Sequence, residues 1–141
     1  MMKINVYSEK NGNFASESKM KPMIIIESKR KKPEALKEKY PDAMIIDVTS
    51  HAVDEFVMFS PFYPIGGVPV PFTEGLVAVS VEGIWQGLKV FEDADIDTSF
   101  FSKREMKNLK RTTRKYGICL GHRKGVHGEE LLGYIEARKK I

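Results

Sequence analysis

Short apolar runs, each closed off by charge or proline, set the rhythm of the chain. Met23-Ile24-Ile25-Ile26 follows Pro22 as an unbroken apolar run and predicts a buried strand. Pro33 occupies the preferred first position of a helix over residues 33–39 that must stop before Pro41. Residues 43–48 repeat the buried-strand pattern through Met44, Ile45 and Ile46. Together these predict a β-α-β unit of about the shortest workable length, right-handed if its strands pair in parallel. Residues 1–22 read as a weakly structured arm with one short strand at 4–7.

After a polar loop at 49–55, residues 56–72 crowd Phe59, Phe62, Tyr63 and Phe72 among Pro61, Pro64, Pro69 and Pro71. Regular helix is excluded there, and short strands and turns around Gly66-Gly67 are expected, lying over the core to bury the rings. Residues 76–79 resemble one more strand, leading into a helix over 80–91 with Ser80 as N-cap. At about 100° per residue, Val81, Ile84, Trp85, Leu88 and Phe91 form its apolar face, with Trp85 read as core. Glu82, Gln86 and Lys89 make a narrow polar line on the other side. Gly83 and Gly87 flank that line and each costs about 1 kcal/mol relative to alanine, so a close neighbour is expected, either another backbone or a flat ligand.

Glu92, Asp93, Asp95 and Asp97 form an acidic loop without the spaced glycine and final glutamate of a calcium site. Ser102 and Glu105 make a capping box that predicts a basic helix to Tyr116, ended by Gly117. Gly117, Gly121, Gly125 and Gly128 predict a flexible segment carrying His122, Arg123, Lys124 and His127, without the order of a P-loop. Residues 129–141 predict an amphipathic helix with Leu131, Leu132, Ile135 and Ile141 inward. The fold class expected is α+β: a single compact domain over 23–141, with several helices packed around a small mixed sheet.

Composition narrows the chemistry. With 141 residues and 42% hydrophobic content the chain can build one real core. No run approaches the roughly 18 apolar residues of a membrane span and no signal-peptide core opens the chain, so a cytoplasmic protein without a membrane partner is expected. Cys119 is the only cysteine, which excludes an intrachain disulfide or a cysteine-rich zinc site and reads as a buried structural thiol. His122 and His127 lack acidic or cysteine partners nearby, so no metal is expected. The net charge is only +4, yet residues 103–127 hold nine lysines and arginines against Glu105 alone. Such a patch attracts phosphates, on a nucleotide, an ADP-ribose group or a nucleic acid, and a solvated helix face is its alternative reading.

One stretch carries a resemblance. Phe59-Ser60-Pro61-Phe62-Tyr63-Pro64, then Ser80-Val81-Glu82, then Gln86 and Lys89, is similar in order and spacing to the F-S-N-F-Y-P run, S-V-E-H turn and Q-x-x-K of the NADAR (YbiA-like) N-glycosidase family. Pro61 stands at the family's asparagine and Gly83 at its histidine, and no tryptophan follows Trp85 and no aspartate follows Asp97, as in a divergent or truncated member. The resemblance implies a YbiA-like fold and hydrolysis of an N-glycosidic bond in a nucleotide-like or ADP-ribosyl compound. It implies Glu82 as the catalytic carboxylate, Gln86 and Lys89 orienting polar groups or phosphate, and Phe62 and Tyr63 stacking on a base. Basic residues such as Arg114, Lys115, His122 and Arg123 would hold the phosphates of a small substrate, with no cofactor. The alternative is a non-enzymatic nucleotide or nucleic-acid binding module. No oligomeric state is implied by the sequence.

Overall fold

The computed structural model describes residues 4–6 and 23–141, an α+β chain that divides into two compact units, Met1–Ser60 and Pro61–Ile141. In the first unit β1 (Ile4–Val6) pairs antiparallel with β2 (Met23–Ile25), Ile4 opposite Ile25. Tyr7 and the remainder of the expected arm lie outside the described residues. Helix α1 (Pro33–Lys39) has the predicted bounds, with Pro33 supplying the helical φ at no cost in hydrogen bonds. It buries Leu36 against Tyr40 and Ile45.

The expected β-α-β unit does not form. Residues 43–48 are irregular, β2 pairs with β1 instead, and Ile24 and Ile26 are exposed. Ile46 and Val48 are nevertheless buried, so their apolar run records burial without a ladder. Glu27 gathers this unit's polar contacts: it accepts from Lys31, Lys39 and Tyr40, which pull its carboxyl down to about 2. A 3-10 helix, Glu55–Phe59, follows Asp54, whose side chain accepts from the Phe56 amide.

The second unit opens with a small hairpin of β3 (Val68–Pro69) and β4 (Val77–Ala78). The turn that precedes it places Gly66 and Gly67 at φ of 78° and 63°, a left-handed backbone that side chains resist. Helix α2 (Val81–Gly87) leads to β5 (Lys89–Phe91), and a 3-10 helix, Thr98–Ser102, packs back across it. Helix α3 (Thr113–Tyr116), β6 (Cys119–Arg123), β7 (Leu131–Leu132) and α4 (Tyr134–Lys140) complete the unit. Strands β5, β6 and β7 form an antiparallel sheet in that order, so the described ladders are antiparallel rather than mixed. The core joins Val70, Ala78, Ile84, Leu88 and Phe101, with Val68, Leu76, Val126 and Ile141 against it.

Three predicted helices are shorter than their patterns. Helix α2 stops at Gly87, whose carbonyl accepts from the Asp97 amide at 2.8 Å, and Lys89 and Phe91 are strand residues paired with β6. The helix expected from Ser102 to Tyr116 survives only as α3. Asn108 takes a φ of 59°, and the Arg111 amide donates to the Gln86 side chain, outside any helical ladder. Like charges spaced along that segment also oppose a helix. Gly117 still terminates it, at φ 77°. The expected flexible segment after it contains β6, and the final helix begins only at Tyr134 because Leu131 and Leu132 pair with Arg123 and His122. In α4 the buried residue is Ala137, while Ile135 is exposed.

The glycines of α2 are packing residues. A Cβ on Gly83 would lie 2.6 Å from the Phe100 carbonyl oxygen, and one on Gly87 would lie 2.5 Å from the Phe101 ring and 3.0 Å from the Asp97 carbonyl oxygen. Alanine at Gly83 is therefore expected to lower stability by about 1–3 kcal/mol, the overpacking cost outweighing its better helix propensity. Urea denaturation followed by Trp85 fluorescence checks this, and an unchanged midpoint would contradict the packing.

Candidate functional site

The polar line on α2 starts from a cap. Ser80 is extended and fully buried, and its hydroxyl accepts from the Gly83 amide at 3.0 Å. The Glu82 amide donates to the Pro61 carbonyl at 2.8 Å, tying the first helical turn to the segment that carries Phe62 and Tyr63. Both of those rings are half-buried. A carboxylate here also gains from the helix dipole, by about 0.3–1 kcal/mol.

From Glu82 a chain of side-chain hydrogen bonds runs inward. Gln86 Nε2 donates to Glu82 Oε1 at 2.7 Å, and Lys89 Nζ donates to Gln86 Oε1 at 2.9 Å. The same oxygen accepts from the Arg111 amide, also at 2.9 Å. Gln86 is 3% exposed, so these partners hold its amide in one orientation, and the half-buried Glu82 carboxylate faces a fixed donor. The sequence placed Gln86 on an outward polar line; the following strand and the Arg111 loop cover it instead.

Lys89 is half-buried beside groups of both signs. Burial pushes its ammonium below the ordinary lysine range; Cys119 and Glu82 oppose that, and Arg111 and Lys110 add to it. Arg111 is 4% exposed and reads as the pin of this region. Its guanidinium donates to the carbonyls of Lys89 at 2.7 Å and Asp95 at 2.6 Å, and lies about 5 Å from the ring centres of Phe91 and Tyr116.

His122 sits opposite Lys89 in the β5–β6 ladder and is 2% exposed. Its ring lies against Trp85, with 3.8 Å between ring centres, and Tyr134 meets Trp85 edge-on at 5.9 Å. Neither His122 ring nitrogen makes a hydrogen bond of normal geometry among the described residues. Burial, assisted by the Lys89 charge, pushes it down to about 4, with the Trp85 backbone opposing. His122 is therefore a neutral buried ring at ordinary pH and does not supply the cation assigned to it.

The other basic residues divide. Arg123 is held by Asp95 at 2.6 Å and by the Gly128 carbonyl at 3.0 Å, and Lys124 pairs with Glu130. Arg114 and Lys115 are exposed on α3. The structure thus joins Glu82, Gln86 and Lys89 directly, sets His122 behind Lys89 and leaves Arg114 and Lys115 on the surface. It adds Arg111 and Lys110, which the sequence showed only as members of a charged run, and moves Trp85 from the core to a half-buried position beside the site. Among the described residues no group of three or more histidine, cysteine or acidic side chains could hold a metal ion, and no helix is long and apolar enough to cross a membrane.

Residues 28–141 match the sequence model described as a family of unknown function, DUF6939. The chain belongs to that family. The DUF6939 match runs from before α1 to the last residue, and so covers all of Glu82, Gln86, Lys89, Arg111 and His122. No curated protein and no solved structure matches the chain.

Proposed function

We propose that this DUF6939 member is an N-glycosidase-like hydrolase acting on a nucleotide-like or ADP-ribosyl N-glycosidic bond. The observation that carries the reading is the ordered run from the half-buried Glu82 carboxylate through Gln86 to Lys89. The likeness of residues 59–91 to the NADAR family, with its YbiA-like fold, supports it, because the same three residues fall on that family's pattern.

In this proposal water adds to the anomeric carbon as the carbon–nitrogen bond breaks, and the bonding pair leaves with the base. Glu82 stabilises the oxocarbenium-like sugar and takes the proton of water, which ends on the departing nitrogen. Gln86 keeps Glu82 Oε1 in place, and Lys89 offers positive charge to the substrate. Release of free base from an ADP-ribosylated nucleotide, followed by chromatography, tests the assignment. Glu82→Gln should slow release by at least about a hundredfold. Equal rates would remove Glu82 from the reaction.

A second reading, a nucleotide or nucleic-acid binding module, is favoured by the exposed Arg104, Lys107, Lys110, Arg114 and Lys115. A groove of about 520 Å³ on the same segment is lined by Lys103, Glu105, Met106, Lys107, Asn108 and Leu109. This reading predicts filter binding of long nucleic acid that falls steeply between 50 and 200 mM salt. Weak binding at the lower salt would leave the small-substrate hydrolase as the better account.

A further inference from the structure

The cations of residues 103–115 are not matched by acids. Lys103, Arg104, Lys107, Lys110, Arg114 and Lys115 stand with Glu105 as the one acid of the segment, and none of the ion pairs among the described residues involves it. The groove of about 520 Å³ lies on this run, and charge is only part of its lining. Met106 and Leu109 line it beside Lys103 and Lys107, Met106 half-buried and Leu109 2% exposed. Its shape is held from within: Asn108 takes a left-handed bend at φ 59°, and the Arg111 guanidinium is bonded to the Lys89 and Asp95 carbonyls. Lys103 Nζ lies 3.4 Å from the centre of the Phe100 ring, which places one of the cations. A groove of fixed shape loses less entropy when it is filled.

We propose that this groove docks an acidic protein segment carrying leucine-like side chains. The apolar side chains enter against Met106 and Leu109, and the acidic groups meet Lys103 and Lys107. Arg104 and Lys110, exposed on the same segment, strengthen the field that draws the partner in. Charge complementarity sets the sign of the occupant, and the lining sets its class. No aromatic ring is among the residues that line the groove, so a nucleic acid strand finds no platform for its bases. Met106 and Leu109 offer nothing to a phosphate backbone, whereas methionine adapts readily to apolar partners. Glu105 can accept from a peptide's backbone N–H groups, which a phosphate backbone lacks. Docking here is independent of the reaction assigned to Glu82.

The experiment titrates the full chain into a fluorescein-labelled peptide of glutamates interrupted by leucines and follows anisotropy. Three probes accompany it: the same peptide with serine for leucine, the same with glutamine for glutamate, and single-stranded and duplex oligonucleotides of matching charge. The parent peptide should bind saturably and more weakly as salt rises. Loss of its leucines should weaken it at least about tenfold. Lys107→Glu, at an exposed position, should weaken it at least about fivefold, and Met106→Ser should weaken it as well. Lys139→Glu, which changes the net charge equally but lies outside the groove lining, should leave it unchanged.

No saturable binding of the parent peptide, or equal binding by wild type and Lys107→Glu, overturns the docking site. Equal affinity for the leucine and serine peptides also overturns it, because the apolar lining would then play no part. Tighter binding of either oligonucleotide than of the parent peptide overturns it in favour of a nucleic-acid surface. Self-association in sedimentation that Lys107→Glu abolishes assigns the groove to a second copy of the chain instead.

Discussion

Arg111→Met should cost the second unit about 3 kcal/mol, a large share of the 5–15 kcal/mol that holds a typical domain together. The guanidinium is 4% exposed and gives short, charge-assisted hydrogen bonds to the Lys89 and Asp95 carbonyls. Methionine fills much of the space between Phe91 and Tyr116 but donates nothing, leaving both carbonyls without those donors. Arg111→Lys should recover part of the loss, because an ammonium can reach one carbonyl but cannot fork between two. Urea midpoints from Trp85 fluorescence provide the measurement, and a methionine variant within 0.5 kcal/mol of wild type, by the roughly neutral standard for surface changes, would show that Arg111 is no pin.

Acid should destabilise the same unit earlier than its carboxylates alone would require. His122 is held near 4 in the fold against an ordinary value of 6.5, so the unfolded chain takes up a proton that the folded chain refuses. Stability from this residue is complete above about 6.5, is lost as pH falls toward about 4, and changes no further below that. The slope inside the window is about 1.4 kcal/mol per pH unit, or about 3 kcal/mol across it. Asp95, Asp97 and Glu130 are held below their ordinary values by Arg123, by Ser99 and by Lys124 respectively, so their contributions fall away at lower pH. Thermal melts at pH 7, 6, 5 and 4 should show the decline in wild type and a flatter profile in His122→Phe. Parallel profiles in the two proteins would assign the acid sensitivity elsewhere.

Local chemistry was legible wherever a signal acted over a few residues. Pro33 opening α1, Ser80 capping α2, Gly117 ending α3 and the left-handed turn at Gly66 and Gly67 all follow from backbone preferences that need no distant partner. The demand of Gly83 and Gly87 for a close neighbour was equally readable, since a helix tolerates their cost only for a reason. That the neighbour is the 3-10 helix at Thr98–Ser102 was not.

Pattern failed where two elements share one face. Periodicity carried α2 on to Phe91 because Leu88 and Phe91 continue its apolar stripe, yet Val90 and Phe91 are buried as strand residues against β6. The capping box at Ser102 lost to Arg111, which must turn inward to reach the carbonyls of Lys89 and Asp95. A cation in a run of cations carries no mark of which one will be buried.

The sequence by itself determined the α+β character, the caps, stops and turns, and the alignment of Glu82 with Gln86 one helical turn apart, because each depends on interactions within about four residues. Tertiary structure alone decided that Gln86 and Arg111 are buried partners, that His122 stands neutral behind Lys89, and that Tyr134 joins Trp85. Those contacts join positions far apart in the chain, and burial, which sets their charge and orientation, is a property of the packed whole.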